Sequence, residues 1–362
     1  HGRRPLAGDV GVKIRLQCLN EEESRMSKAR KLRKVAAMVV AALSLSLVGA
    51  AAAADWKPSQ PIEFVVTAGP GGGTDNFART IQSIVTKYKL IDQPIVVVNK
   101  GGGSGAEGFQ YGKSPADDAY KLTFATNNEY LLPLIAKLSW KGEDFTPVAA
   151  MAVDEFILWV NGKSEFKTAK AYIDAAKAKP ATFRMGGSQS KDTDQTLTSE
   201  ITAATGATFL YVPFKSGGEA AVQLAGGHID SNTDNPSESI GQWKGALVTP
   251  LCVFSAKRLA PGPKVTDTMG WSDIPTCAES GIPIEQYQQP RTVWLPKGAP
   301  ANAVAYYAGV LAKVRETPEW KTYIERSAQT DRFLTGDDFK RFAATDEQKA
   351  RKVFEHEGWL IR

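Results

Sequence analysis

Three stretches of this chain place glycine and small hydroxyl residues where an anion can be held without a charged side chain. The first is Gly69-Pro70-Gly71-Gly72-Gly73-Thr74-Asp75, between an apolar run and a helical pattern. Glycine lets the backbone take positive φ and approach a ligand closely. The first amides of the following helix lack intrahelical partners and carry partial positive charge. Gly71, Gly72, Gly73 and Thr74 therefore read as donors to an anion, with Asp75 opening the helix. The second stretch, Lys100-Gly101-Gly102-Gly103-Ser104-Gly105, has the same setting. The third is "RMGGSQSKDTDQTL", residues 184–197. There Gly187, Ser188, Gln189 and Ser190 follow a short strand, and Asp192 is placed to cap the next helix. Two opposed helix N-termini can grip both ends of one small dianion, each charge-assisted bond contributing roughly 1.5–3 kcal/mol.

Arg291, in "QQPRTVWLP", is the best-placed side chain for a carboxylate, which a guanidinium binds bidentately. A surface or interdomain ion pair is the alternative use of the same residue. Asn127, Asn128, Asn232 and Asn235 stand at strand ends, where they either line a cleft or cap turns.

Phosphate is the rival anion. Gly103-Ser104-Gly105-Ala106-Glu107-Gly108 fits G-x-G-x-x-G, the pattern an NAD-dependent dehydrogenase would use. That pattern expects an acidic residue about twenty positions on, closing a second strand. Asp117 and Asp118 come too early, in a polar loop. No phosphate-binding G-x-x-x-x-G-K-[ST] exists, and no G-x-S-x-G nucleophile turn. His228 and His356 have no nucleophile at a recognisable spacing, and no His/Cys/carboxylate cluster suggests a metal. The reading is a binding protein with no catalysis, no cofactor and no metal.

The elements that position these bends alternate. Strands are read at "IEFVV", "PIVVVN", "KLTFAT", "FILWV", "TFRMG", "TFLYVPF" and "ALVTPLCVF". Helices are read at 74–87, around Leu131–Leu138, and at 168–178, 194–204 and 218–224. Such alternation argues for largely parallel sheets covered by helices. After "RTVWLP" the pattern is almost all helix, at 301–315, 319–327 and 337–357. Helices that polar need a sheet to pack on, so the chain is expected to return to its first domain. That places two crossings, near 154–159 and 286–291, with a ligand cleft between the domains. Domain 1 is assigned to residues 55–155 and 291–362, and domain 2 to residues 156–290.

The 362-residue chain has a formal charge of +5. Ten Lys/Arg and four Asp/Glu lie in residues 1–54, a surplus of six that leaves −1 for the rest. The basicity belongs to one tract, which removes the case for a nucleic-acid partner. From Met26, "MSKARKLRKVAAMVVAALSLSLVGAAAAADW" has the basic, apolar and small-residue regions of a signal peptide, assigned to residues 26–54. Residues 1–25 read as an upstream leader or a misassigned start, and the mature chain as starting near Asp55 in the periplasm. Cys252 and Cys277 then remain, either as a disulfide or as two buried thiols.

Seven fragments carry a resemblance, in order along the mature chain. They are "PGGGTD", "VVVNKGGGSG", "DFTPVAAM", "GGSQSKDTDQTL", "YVPFKSGGEAAVQLAGGHID", "DIPTCAESGIP" and "RTVWLPKGAP". Together the chain resembles the periplasmic receptors of tripartite tricarboxylate transporters, the Bug family. The resemblance implies a two-domain α/β flytrap of mixed sheets flanked by helices, closing as a monomer on a carboxylate. It implies the membrane components of such a transporter as partners; a ligand-sensing domain for a membrane kinase would use the same pocket. By position it gives Pro70–Asp75 as the first-domain loop and Gly186–Ser190, with Asp192 behind, as the second. Thr196 stands where many relatives carry His, and "PRTV" where an aromatic-Arg-Gly pattern is common.

Overall fold

The computed structural model describes residues 56–361 apart from residue 114. The leader assigned to residues 1–25, the signal peptide at 26–54 and Asp55 lie outside the described residues. Lys57–Arg362 forms one compact unit built on two sheets. Each sheet, with the helices packed on it, makes one lobe.

The first lobe starts with β1 (Ile62–Val66), α1 (Gly73–Lys87), β2 (Ile95–Asn99), α2 (Ala106–Gly112), β3 (Lys121–Ala125) and α3 (Asn128–Ile135). β1 pairs in parallel with both β2 and β3. That register brings the glycine bends after β1 and β2 to the same sheet edge, at the carboxyl ends of the strands, where open α/β sheets bind ligands. α1 buries Phe77, Ile81, Ile84 and Val85, the one-sided spacing of an amphipathic helix.

β4 (Phe145–Glu155) leaves this lobe and β5 (Ile157–Asn161) opens the second. β5 is apolar on both faces: Leu158 and Val160 pack into one core, Ile157 and Trp159 into another on the opposite side. A strand with helices on both faces must read this way. The second lobe continues with α4 (Ala169–Ala178), β6 (Arg184–Ser188), α5 (Thr193–Thr205), β7 (Leu210–Phe214) and α6 (Gly217–Ala225). It closes with β8 (Ser231–Asp234), α7 (Pro236–Lys244) and β9 (Val248–Val253). Its strand order is β7-β6-β8-β5-β9, parallel for β7-β6-β8 and antiparallel around β5.

The chain returns through β10 (Gln288–Pro296), then α8 (Ala301–Glu316), α9 (Pro318–Ser327), β11 (Thr330–Leu334) and α10 (Gly336–His356). β10 lies between β3 and β4, antiparallel to both, in the order β11-β4-β10-β3-β1-β2. The sheets are thus mixed rather than largely parallel. β4 runs out of the lobe and β10 runs back, so the two crossing strands must oppose each other. β10 begins at Gln288, so Gln288–Pro290 belong to the first sheet. The sequence reading names no strand over β4 or β11 and no helix over α7, which has little apolar periodicity, and marks β8, the polar "SNTD", only through the strand ends it assigns to Asn232 and Asn235.

Cys252 and Cys277 form a disulfide, with Cα atoms 4.8 Å apart, inside the core packed under β9.

Candidate functional site

Between the lobes the glycine bends enclose a cavity of roughly 70 Å³. The first lobe lines it with Thr67, Gly72–Thr74, Asn128 and Arg291; the second with Ser188, Gln189, Asp192, Asp194, Asn235 and Glu238. Four helix N-termini converge here: α1 at Gly73, α5 behind Asp192, α6 behind Ser216 and α7 behind Asn235. The sequence reading names the first two. The fourth, α7, escapes it for want of periodicity. The third is readable, because Ser216-Gly217-Gly218-Glu219 repeats the strand–glycine–helix pattern, and the Ser216 hydroxyl accepts from the Glu219 amide at 3.2 Å.

Arg291 is the centre of the first-lobe wall. It is 3 % exposed, its Nη1 donates to Thr74 Oγ1 at 2.8 Å, and its Nη2 donates to Asn235 Oδ1 at 3.4 Å across the cleft. Nη2 is also paired with the buried Asp154 carboxylate. Arg291 thus lines the cleft, and its ion pair is buried within the first lobe, between neighbouring strands of one sheet, rather than on the surface or between the lobes. Burial works against the guanidinium charge, but Asp154 and then Glu238 outweigh it and the net shift is upward. Burial pushes the Asp154 carboxyl up against the pull of Arg291. Arg291 Nε is buried and has no hydrogen-bond partner.

Gly72 and Gly73 line the cavity beside Thr74, whereas Gly71 is exposed at φ +79° outside it. Asp75 also faces away: its carboxylate accepts from the Gly71 amide at 2.9 Å, from Asn99 Nδ2 at 2.9 Å and from Arg79. Those bonds offset its burial and lower its pKa. Asp75 thus fixes the shape of the loop.

On the opposite wall, Ser188 and Gln189 line the cavity, and Gln189 sits at φ +50° with its Oε1 buried and unpartnered. Gly187 lies behind them, where a β-carbon would meet Asp194 at 2.5 Å. Ser190 is exposed outside the cavity, its hydroxyl 3.4 Å from Gln195 Oε1. Asp192 caps α5 through the Thr193 amide at 2.8 Å. Asn127 lies outside the cavity, bonded to Asp346 at 3.1 Å, and its neighbour Asn128 lines it instead. Asn235 lines it with its Nδ2 donating to the Glu155 carbonyl at 3.1 Å.

Sequence reasoning missed Glu238. From the first turn of α7 its Oε1 accepts from the Gly73 amide at 3.3 Å, across the cleft. Asp194, at the start of α5, accepts from the Ser188 amide. Its carboxyl is pushed well up, by burial first and then by the charges of Asp192 and Glu238, against the pull of Ser188.

The glycines of the second loop have a packing reason. A β-carbon on Gly105 would lie 2.8 Å from the Thr67 carbonyl, and one on Gly108 2.7 Å from that of Lys100. The G-x-G-x-x-G match is thereby accounted for by close approach of α2 to β1 and its neighbour.

Residues 77–359 match the tripartite tricarboxylate transporter family receptor. A Cupriavidus necator protein, "UPF0065 protein in gbd 5'region", is 29% identical over 323 residues, covering 89% of this chain and 95% of its own. Protein BugT of Bordetella pertussis is 26% identical, covering 87% and 94%. A solved periplasmic transporter superposes with a TM-score of 0.75 at 26% identity, covering 83% of this chain and 98% of that one. The R. palustris protein Rpa4515, solved with adipate, shares the fold with a TM-score of 0.77 at 24% identity, covering 84% and 99%.

Proposed function

The chain belongs to the tripartite tricarboxylate transporter receptor family, and from that premise we propose that it captures a small organic carboxylate between its lobes and delivers it to membrane components of such a transporter. The observation that carries this reading is the buried Arg291, hydrogen-bonded to Thr74 and facing a cavity where helix N-termini converge. A carboxylate entering there meets Arg291, Thr74 and the Gly72–Gly73 turn, whose amides it would take over from the Gly69 carbonyl at 3.4 Å and from Glu238 at 3.3 Å. In a dry cleft such charge-assisted bonds are worth more than in water, and a few of them reach roughly micromolar affinity after ordering costs.

The cavity of roughly 70 Å³ lies between the two lobes, so parting them admits a larger acid. β4 and β10 are adjacent crossings, and bending them at Glu155–Ile157 and Tyr287–Gln288 opens the cleft, with Phe156 and Tyr287 moving as part of the second-lobe core. The receptor works as an exported periplasmic monomer, its mature chain starting near Asp55. Its proposed task is capture and handover, with no bond made or broken.

Thermal unfolding of residues 55–362 with a carboxylate panel tests this. Adipate and malate, named with two solved proteins of this fold, set the size range of the panel. A ligand at a hundred times its Kd stabilises the folded state by about 2.7 kcal/mol, which raises Tm by several degrees. No response to any aliphatic, aromatic or tricarboxylic acid overturns the reading.

A further inference from the structure

The cleft has a polarity that a plain dicarboxylate does not fit. Its first-lobe wall is cationic and amide-rich: Arg291, Thr74, Gly72 and Gly73. Its second-lobe wall carries the carboxylates of Asp192, Asp194 and Glu238, with the buried Asp234 directly behind. Asp234 and Glu238 both crowd Gly217, where a β-carbon would lie 2.1 Å from Asp234 Oδ1 and 2.4 Å from Glu238 Oε2. The Asp234 carboxyl is pushed well up, by burial and then by Glu238. On the other side of the charge balance, Arg291 is already paired with Asp154, and the exposed Lys215 lines the second-lobe side beside Ser216.

The second-lobe donors are also taken. The Ser188 amide goes to Asp194, the Thr193 amide to Asp192, and the Asn235 amide to Asp234 at 3.0 Å. Even Gly73, a first-lobe donor, is held by Glu238. A second anionic group at that wall would find few free donors and up to four carboxyl groups. The unmet hydrogen-bonding capacity points the same way on each wall. Arg291 Nε is a buried donor with no acceptor, in a side chain 3 % exposed. Gln189 Oε1 is a buried acceptor with no donor. One end of the missing ligand accepts hydrogen bonds and the other donates them.

We propose that the ligand is an amino acid or related zwitterion, its carboxylate on Arg291 and the Gly72–Thr74 loop and its ammonium among Asp192, Asp194 and Glu238. This inference rests on the carboxylate-receptor reading above and narrows it. Glu238 accepts, at 3.3 Å, from the Gly73 amide that a ligand carboxylate would take. On binding, that carboxylate replaces Glu238 at Gly73, and Glu238 turns to the ammonium. An ammonium at the second wall holds these carboxyls ionised against the burial that raises the pKa values of Asp192, Asp194 and Asp234, whereas a diacid binds there only while they stay protonated.

Matched skeletons test it on the mature protein by calorimetry. Each α- or ω-amino acid of two to six carbons is compared with the diacid or deaminated acid of the same chain. Succinate, 4-aminobutyrate and butane-1,4-diamine form one such series. At least one amino acid should bind ten-fold or more tightly than its amine-free counterpart. Equal or tighter binding of the diacids overturns the zwitterion and leaves the carboxylate receptor standing. Binding by no acid of either kind overturns both. Glu238→Gln gives a second readout: amino-acid affinity should fall about ten-fold while diacid affinity rises. Equal loss for both kinds would make Glu238 a simple cleft latch and overturn its assignment to the ammonium.

Discussion

Gly73 and Arg291 touch so closely that no side chain fits between them: a β-carbon on Gly73 would lie 2.2 Å from Arg291 Nη2 and 2.9 Å from Cζ. A long side chain normally swings clear of such a clash. Arg291 cannot, because Asp154, Thr74 and Asn235 hold it and it is buried. Gly73→Ala should therefore push the guanidinium out of register and weaken carboxylate binding by at least ten-fold. Global stability should fall too, by up to the roughly 3–5 kcal/mol of a broken buried pair to the extent that the guanidinium leaves Asp154. Calorimetry and urea unfolding on the same variant separate the two effects; unchanged affinity would remove Gly73 and Arg291 from the site.

The Asp154–Arg291 pair yields a prediction about folding. Removing one partner of a buried ion pair leaves an uncompensated charge and typically costs about 3–5 kcal/mol. Arg291→Met should lose stability on that scale in urea unfolding at pH 7. Adding Asp154→Asn should recover half or more of it, because neither group is then charged. A single variant within about 1 kcal/mol of the parent would show the pair to be energetically idle.

What was legible in the sequence was what the backbone itself encodes. The glycine bends at 69–75 and 186–190, each followed by helical periodicity, name turns that reach the cavity without knowledge of any partner, and β5 announces its two cores by being apolar from Ile157 to Val160. Side-chain roles set by distant partners were invisible. Glu238 is 165 residues from the Gly73 amide it accepts from, in a helix whose polar face gives no signal. Asp75 borders the glycines, and the Gly71 amide, Asn99 and Arg79 draw its carboxylate away from the cleft, partners that its place at the helix start does not reveal. β8 hid for a related reason. "SNTD" is polar because it ends at the cleft, yet all four residues are buried, with Ser231 accepting from the Tyr172 hydroxyl at 2.6 Å.

The disulfide should matter to stability rather than to the site. Cys252 and Cys277 are 25 residues apart, and closing a loop of that size restricts the unfolded chain by about 3 kcal/mol. Reduction should lower the unfolding midpoint of the mature protein while leaving ligand affinity of the folded form unchanged. Thiol titration of the unreduced, unfolded mature chain should find none; two free thiols would sink the assignment.

Glu155 ties the hinge to pH. It ends β4, is 2 % exposed, and its Oε1 accepts from Gln288 Nε2 at 2.6 Å and Thr330 Oγ1 at 3.2 Å. Its Oε2 is buried without a partner. Burial, opposed by those two bonds and aided by the Asp154 charge, pushes its pKa up to about 7 from 4.5. Below the unfolded value the carboxyl is protonated in both states and its contribution to stability is complete. As pH rises toward 7 the unfolded chain releases this proton before the folded chain does, so stability falls, and above 7 the contribution is gone. The whole effect amounts to about 3 kcal/mol at most. Glu155→Gln carries no charge at any pH and should escape the loss. Relative to the parent, the variant should gain stability steadily between pH 4.5 and 7 and then hold that gain. Urea midpoints at pH 4.5, 6 and 8 measure the difference between the two proteins, which cancels every other titrating group. Parallel profiles would mean that Glu155 stays ionised inside the folded hinge, and that Gln288 and Thr330 hold the charge at no net cost.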